Sequence, residues 1–278
     1  MPRYFVATDL SDRGDRAVHR AILMAASMDA ELTVLTVVDD ALPVAIAAQV
    51  AEAAELELSR IVASFPEAAK AQVSINVVTG DPARTVAERA TEARADLLIL
   101  GRHRERPFGD LFRQTTAQRI ITLVTCPVLL VSATPAAPYK HVLHAIDFSP
   151  ASAAVAQAAL SLAPKARHEG LHVYHVPFRG LVPGDQLPAF LHEAEDAEAD
   201  WRTRFGIGAD TLSIRLLEGG VQSELTQAVA KGKPDLVAVG AHGRSAISRA
   251  VLGSVTTMLM CEPPCDLLIA RPGPARIG

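Results

Sequence analysis

The chain has 278 residues, 49% of them hydrophobic and 21% charged, enough for two ordinary domains of roughly 100–150 residues with adequate cores. A formal net charge of −4 gives no electrostatic footprint for nucleic acid, and no apolar run approaches the roughly 20 residues that span a bilayer. Met1-Pro2-Arg3 runs straight into a strand rather than a signal peptide, so the cytoplasm is the expected compartment.

Tyr4 to Thr8 reads as a first strand, closed by Asp9-Leu10-Ser11-Asp12. Val18, Ala21, Ile22 and Ala25 then fall on one face of a helix. Leu32 to Val38 is β-branched and alternating, a second strand, and Val44 to Phe65 is an Ala- and Glu-rich helix. Val73 to Thr79 is a third strand. After it, Gly80-Asp81-Pro82 turns the chain, with Asp81 as N-cap and Pro82 at the first helical position. Asp96 to Gly101 and Val128 to Val131 are strands four and five. Strands alternating with helices predict an α/β fold with a mostly parallel sheet.

Ser132 to Pro138 is a linker, and beyond it the pattern returns. His141 to Ile146 repeats the first strand, and Asp147-Phe148-Ser149 echoes Asp9-Leu10-Ser11. Leu171 to Val176 repeats the second strand and Ser213 to Leu217 the third. Pro234-Asp235-Leu236 answers Ala95-Asp96-Leu97, and Cys265-Asp266-Leu267 answers Cys126-Pro127-Val128. This is a tandem duplication, with domains expected at 1–134 and 139–278, each an open five-stranded sheet flanked by helices. Cys126 and Cys265 hold equivalent places before a strand and read as structural thiols, and Cys261-x3-Cys265 fits no strong zinc spacing.

The informative stretch follows the strand Asp235 to Val239. Gly240, Gly243 and then Gly253-Ser254-Val255 place small residues after a strand and at a helix start, with Ser254 as the expected N-cap. Backbone N–H groups bared by small residues at a helix N-terminus form a site for anionic oxygens. The same glycines also suit a backbone that needs only relief from strain, with Gly253 giving close helix packing. The spacing matches neither G-x-x-x-x-G-K-[ST] nor G-x-G-x-x-G.

Gly-x2-Gly-x9-Gly-Ser, carried here by Gly240, Gly243, Gly253 and Ser254, resembles the ATP-binding motif of the universal stress protein family. The resemblance extends over both halves. It implies an open five-stranded α/β sheet of the adenine nucleotide alpha hydrolase-like type, with ATP (or ADP or AMP, Mg2+ being compatible) at the carboxyl ends of the strands. Ile146 and Asp147 would meet ribose or adenine, and Val176 would pack against adenine. Gly240, His242 and Gly243 would border the nucleotide, and Gly253, Ser254 and Val255 would hold phosphate. In the first half Arg104 and Gln114 stand where the second and third glycines belong, and only Thr115 keeps its type. One nucleotide per chain is therefore expected, in the second half.

His141, His144, His168, His172, His175 and His242 all fall in the second half. His175 and His242 lie near strand ends converging with Asp147, but structural histidines account for them equally, and no metal site is assigned. No nucleophile elbow or acidic metal cluster surrounds the motif. The expected function is an ATP-binding stress-response module that binds and senses. A slow ATPase or nucleotidyl transferase, or a ligand-free structural adaptor, are the competing readings. The family also implies that the two halves pair as an intramolecular pseudo-dimer through their fifth strands, with a homodimer optional and the protein partner unknown.

Overall fold

The computed structural model describes residues 1–102, 115–135, 137–242 and 252–272. Arg104, Gln114 and Gly243 lie outside the described residues. The chain divides into two compact units, Met1–Pro138 and Tyr139–Gly278.

Unit 1 contains strands β1 (Arg3–Ala7), β2 (Glu31–Asp39), β3 (Gln72–Gly80), β4 (Leu97–Gly101) and β5 (Val128–Val131). They pair in the order β3-β2-β1-β4-β5, every pairing parallel. Helices α1 (Asp12–Met28), α2 (Val44–Ala63), α3 (Pro82–Glu92) and α4 (Thr116–Leu123) connect them, with a 3-10 turn at Pro66–Lys70. β4 is Leu-Leu-Ile-Leu-Gly with its first four side chains buried, the pattern of a strand covered on both faces. Ser11 caps α1 by accepting from Gly14 N–H at 3.3 Å, and Val18, Ala21, Ile22 and Ala25 turn inward as their spacing requires.

Unit 2 repeats this with β6 (His141–Ile146), β7 (Arg167–Tyr174), β8 (Ser213–Glu218), β9 (Leu236–Gly240) and β10 (Asp266–Ala270). Their order is β10-β9-β6-β7-β8, again all parallel. Its helices are α5 (Pro150–Leu162), α6 (Leu187–Phe205), α7 (Val221–Gly232) and α8 (Ser254–Cys261). In both units the order reverses beside the first strand, which opens a crevice at the carboxyl ends of its two neighbours.

Two sequence expectations shift. β7 begins at Arg167 rather than Leu171, because Arg167 N–H bonds the Lys140 carbonyl at 2.8 Å and draws the chain into the ladder early. The strand then ends at Tyr174, so Val176 lies beyond it. α8 is capped by Gly253, and Ser254 is its first helical residue.

Beneath β6 and β7, His144 is wholly buried and its Nε2 lies 2.9 Å from His168 Nδ1. His168 Nε2 faces the Ala163 carbonyl at 2.9 Å. A carbonyl only accepts, so His168 donates to it from Nε2, and its Nδ1 shares the second hydrogen bond with His144. Burial, and next the neighbouring His168, push the His144 pKa down to about 3. Burial pushes the half-buried thiols of Cys126 and Cys265 up, to about 11 and about 12, so both stay protonated, whereas Cys261 is exposed.

Candidate functional site

The crevice of unit 2 is a cavity of about 150 Å³ at the ends of β6, β7 and β9 and the start of α8. β6 delivers Ile146 and Asp147 to its rim. The next residue, Phe148, takes a left-handed conformation with φ 58°, which reverses the chain sharply into α5. Asp147 holds the reversal by accepting Ser149 N–H on Oδ1 at 3.0 Å, the side-chain-to-backbone turn that short acids favour. His172 Nδ1 donates to the Ile146 carbonyl at 2.9 Å, and the Trp201 indole N–H donates to the Ser149 carbonyl at 3.1 Å. The Phe148 ring lies 4.2 Å from the His172 ring and 5.9 Å from Trp201. The carboxylate is thus mounted on a turn fixed from three sides.

Gly240 ends β9, where a Cβ would come within 2.9 Å of Ala151 and 3.0 Å of the Ser152 nitrogen. Its hydrogen is needed for α5 to approach the sheet. Thr256 Oγ1 donates to the Gly240 carbonyl at 2.8 Å, and Gly253 N–H donates to the Ala241 carbonyl at 2.9 Å, which ties the start of α8 to the end of β9. Gly253 has an ordinary φ of −63° and offers no side chain to the first turn of α8. That turn therefore presents its N–H groups without a side-chain cap, the arrangement that attracts anionic oxygens.

Of the residues singled out in the sequence, Ile146, Asp147, Gly240, His242, Gly253, Ser254 and Val255 line one cavity. Val176 does not: it is buried past the end of β7, and Val173 lines the wall in its place. Gly243 lies outside the described residues. His175 is exposed, and among the described residues no three His, Cys, Asp or Glu side chains gather as a metal site. Sequence reading missed Leu171, His172, Val173, Val221 and Leu225 in the lining. The alternation of β7 puts Leu171 and Val173 on one face, but His172 between them and the α7 residues are supplied only through tertiary packing.

Unit 1 keeps a crevice at the equivalent place, about 250 Å³, lined by Asp9, Val37, Gly101, Arg102, Thr116 and neighbours. Its helix starts are closed differently. Thr115 Oγ1 accepts from Gln118 N–H at 3.2 Å while Gln118 Oε1 accepts from Thr115 N–H at 2.8 Å, a reciprocal capping box. Asp81 caps α3 by accepting Arg84 N–H at 2.8 Å and bonds Arg119 of α4 at 3.1 and 3.2 Å. The Arg84 bond, aided by Arg119, holds the Asp81 carboxyl below the usual range. In unit 2 the corresponding caps are Gly220 and Gly253, neither with a side-chain bond.

An open parallel α/β sheet with a crevice at its switch point defines the class: a doubly wound α/β domain, present twice. The universal stress protein family model matches residues 2–132 and again 138–271, and the chain belongs to that family as a tandem pair. It is 28% identical over 144 residues to universal stress protein MJ0531 of Methanocaldococcus jannaschii, covering 48% of this chain and 82% of that protein. A universal stress protein from Archaeoglobus fulgidus superposes with a TM-score of 0.71 at 16% identity, over 98% of each chain. A universal stress protein solved in complex with cAMP is 26% identical, over 47% of this chain and 95% of that one, with a TM-score of 0.38. No described helix is long and apolar enough to cross a membrane.

Proposed function

We propose that this protein binds one adenine nucleotide, ATP foremost, in the unit 2 crevice, and that occupancy rather than turnover is its output in a stress response. The observation that carries the reading is the convergence of Asp147 and the uncapped first turn of α8 on one cavity. A carboxylate suits ribose hydroxyls, bare helix N–H groups suit phosphate, and Leu171, Val173 and Leu225 supply an apolar wall for a base. Binding is favoured over catalysis because Asp147 is the only carboxylate among the described residues of the lining and its Oδ1 is already bonded to Ser149 N–H. A metal ion would enter with the phosphates, since the described lining offers it no second acid.

Unit 1 is the non-binding partner in this reading. Its crevice is open, but the hydroxyl and N–H of Thr115 are both spent on its own helix. Mass spectrometry of small molecules released on denaturing the purified protein tests the proposal directly. An adenine nucleotide approaching one per chain, lost in Asp147→Ala, is the expected result. Two nucleotides per chain, or phosphate release well above background on multiple turnover, would overturn it.

A further inference from the structure

β3 is the outermost strand of unit 1. β2 pairs with one of its edges along all nine residues, and no described strand pairs with the other. In a parallel ladder alternate residues direct their N–H and C=O to the same neighbour, so the intervening residues of β3 direct theirs outward. Proteins normally blunt such an edge with Lys, Pro, a bulge or a short strand. β8, the corresponding outer strand of unit 2, has six residues and carries Arg215 and Glu218. β3 uses none of these devices. It reads Gln-Val-Ser-Ile-Asn-Val-Val-Thr-Gly, nine residues with no charge and no proline, about 30 Å of extended backbone.

We infer that the β3 edge is where two copies of this chain pair, strand against strand, antiparallel across a twofold axis. The charges flanking the strand choose that direction. Lys70 is exposed just before β3, and Asp81 follows directly after it. Antiparallel pairing sets Lys70 of one copy beside Asp81 of the other at both ends of the ladder, whereas parallel pairing sets like beside like. Asp81 keeps 40% of its side chain exposed despite its bond to Arg119, so its charge still faces solvent there. An identical strand also satisfies the geometry of closure: the same edge serves both partners, so the pairing at β3 is complete with two copies. Asn76, exposed at the middle of the nine residues, lies opposite its own copy when the two strands pair in full register.

Sedimentation equilibrium of the full chain tests this, together with hydrogen exchange at two protein concentrations. The native chain should reach twice its 29.5 kDa mass, and the β3 amides should exchange more slowly at the higher concentration. Asn76→Lys sets two ammonium groups opposite each other and should raise the dissociation constant about tenfold or more. A native chain of 29.5 kDa at every concentration overturns the inference. So does a dimer that Asn76→Lys leaves intact, or one whose β3 amides exchange independently of concentration. If Asn76→Lys fails to fold, the exchange result on the native chain decides alone.

Discussion

The first turn of α5 fills the space where a Cβ on Gly240 would stand, with the Ala151 carbonyl carbon 2.9 Å from that position. Unit 1 repeats the relationship: a Cβ on Gly101 would lie 2.7 Å from the Arg13 carbonyl oxygen. Both contacts are to backbone, which cannot rotate away. Gly240→Ala and Gly101→Ala should therefore each destabilise the fold, by about 1–3 kcal/mol in urea unfolding. Equal losses in the two variants are the diagnostic outcome. A Gly240→Ala protein of native stability that merely lost ligand would show that the glycine serves the ligand and not the helix.

The bare start of α8 makes a separable prediction. Gly253→Asp installs the side-chain acceptor that α8 lacks and places a negative charge where phosphate is proposed to sit. Thermal stability should hold or rise by a few tenths of a kcal/mol, while ATP affinity falls at least about tenfold by calorimetry. The opposite substitution in unit 1, Thr115→Gly, removes half of the capping box and should cost a few tenths of a kcal/mol without creating ATP binding.

Trp201 is the only tryptophan in the chain, and its N–H holds the Ser149 carbonyl two residues from Asp147. Its ring packs on Phe148, the left-handed residue of the same turn. Nucleotide binding at Asp147 should change Trp201 emission in a saturable way. The same titration of Gly253→Asp should be flat at concentrations that saturate the native chain.

His144 predicts a pH dependence of stability. Its folded pKa is depressed to about 3, whereas an unfolded histidine titrates near 6.5. Below about 6.5 the unfolded chain takes up a proton that the folded one refuses. This contribution is fully present above that pH and declines steadily as pH falls toward 3. The slope from this one group is about 1.4 kcal/mol per pH unit. Urea unfolding at pH 7 and pH 5 should show it, and His144→Leu should flatten the dependence by one proton's worth.

Much of this was legible in the sequence, for reasons that differ by element. The duplication and the parallel sheet follow from apolar runs such as Leu97–Leu100 and Leu236–Val239, whose burial on both faces leaves no other reading. Asp147 was legible because an acid closing a first strand recurs at Asp9. Val176 was misplaced because the end of β7 is set by a bond from Gly219 N–H to the Tyr174 carbonyl, a contact between distant segments. The role of Gly240 was hidden for a similar reason: a glycine bordering a ligand and one admitting a helix look alike until the helix is seen. The contrast between the helix caps was half visible, since Thr115 and Gln118 spell a capping box, but its closure needs both hydrogen bonds.

The two kinds of helix start give one chain two thermodynamic temperaments. In unit 1, α3 and α4 complete their own first turns with side-chain caps from Asp81 and Thr115, so no ligand is needed to finish them. The corresponding starts of α7 and α8 in unit 2 have no side-chain cap, and under the proposed nucleotide binding a ligand at a hundred times its dissociation constant would add about 2.7 kcal/mol to the state that holds it. With the nucleotide held in unit 2 as proposed, a fall in the nucleotide pool would remove that stabilisation from one half of the molecule and not from the other. Proteases would then sample the loosened half first, and the lifetime of the intact chain would follow the energy supply.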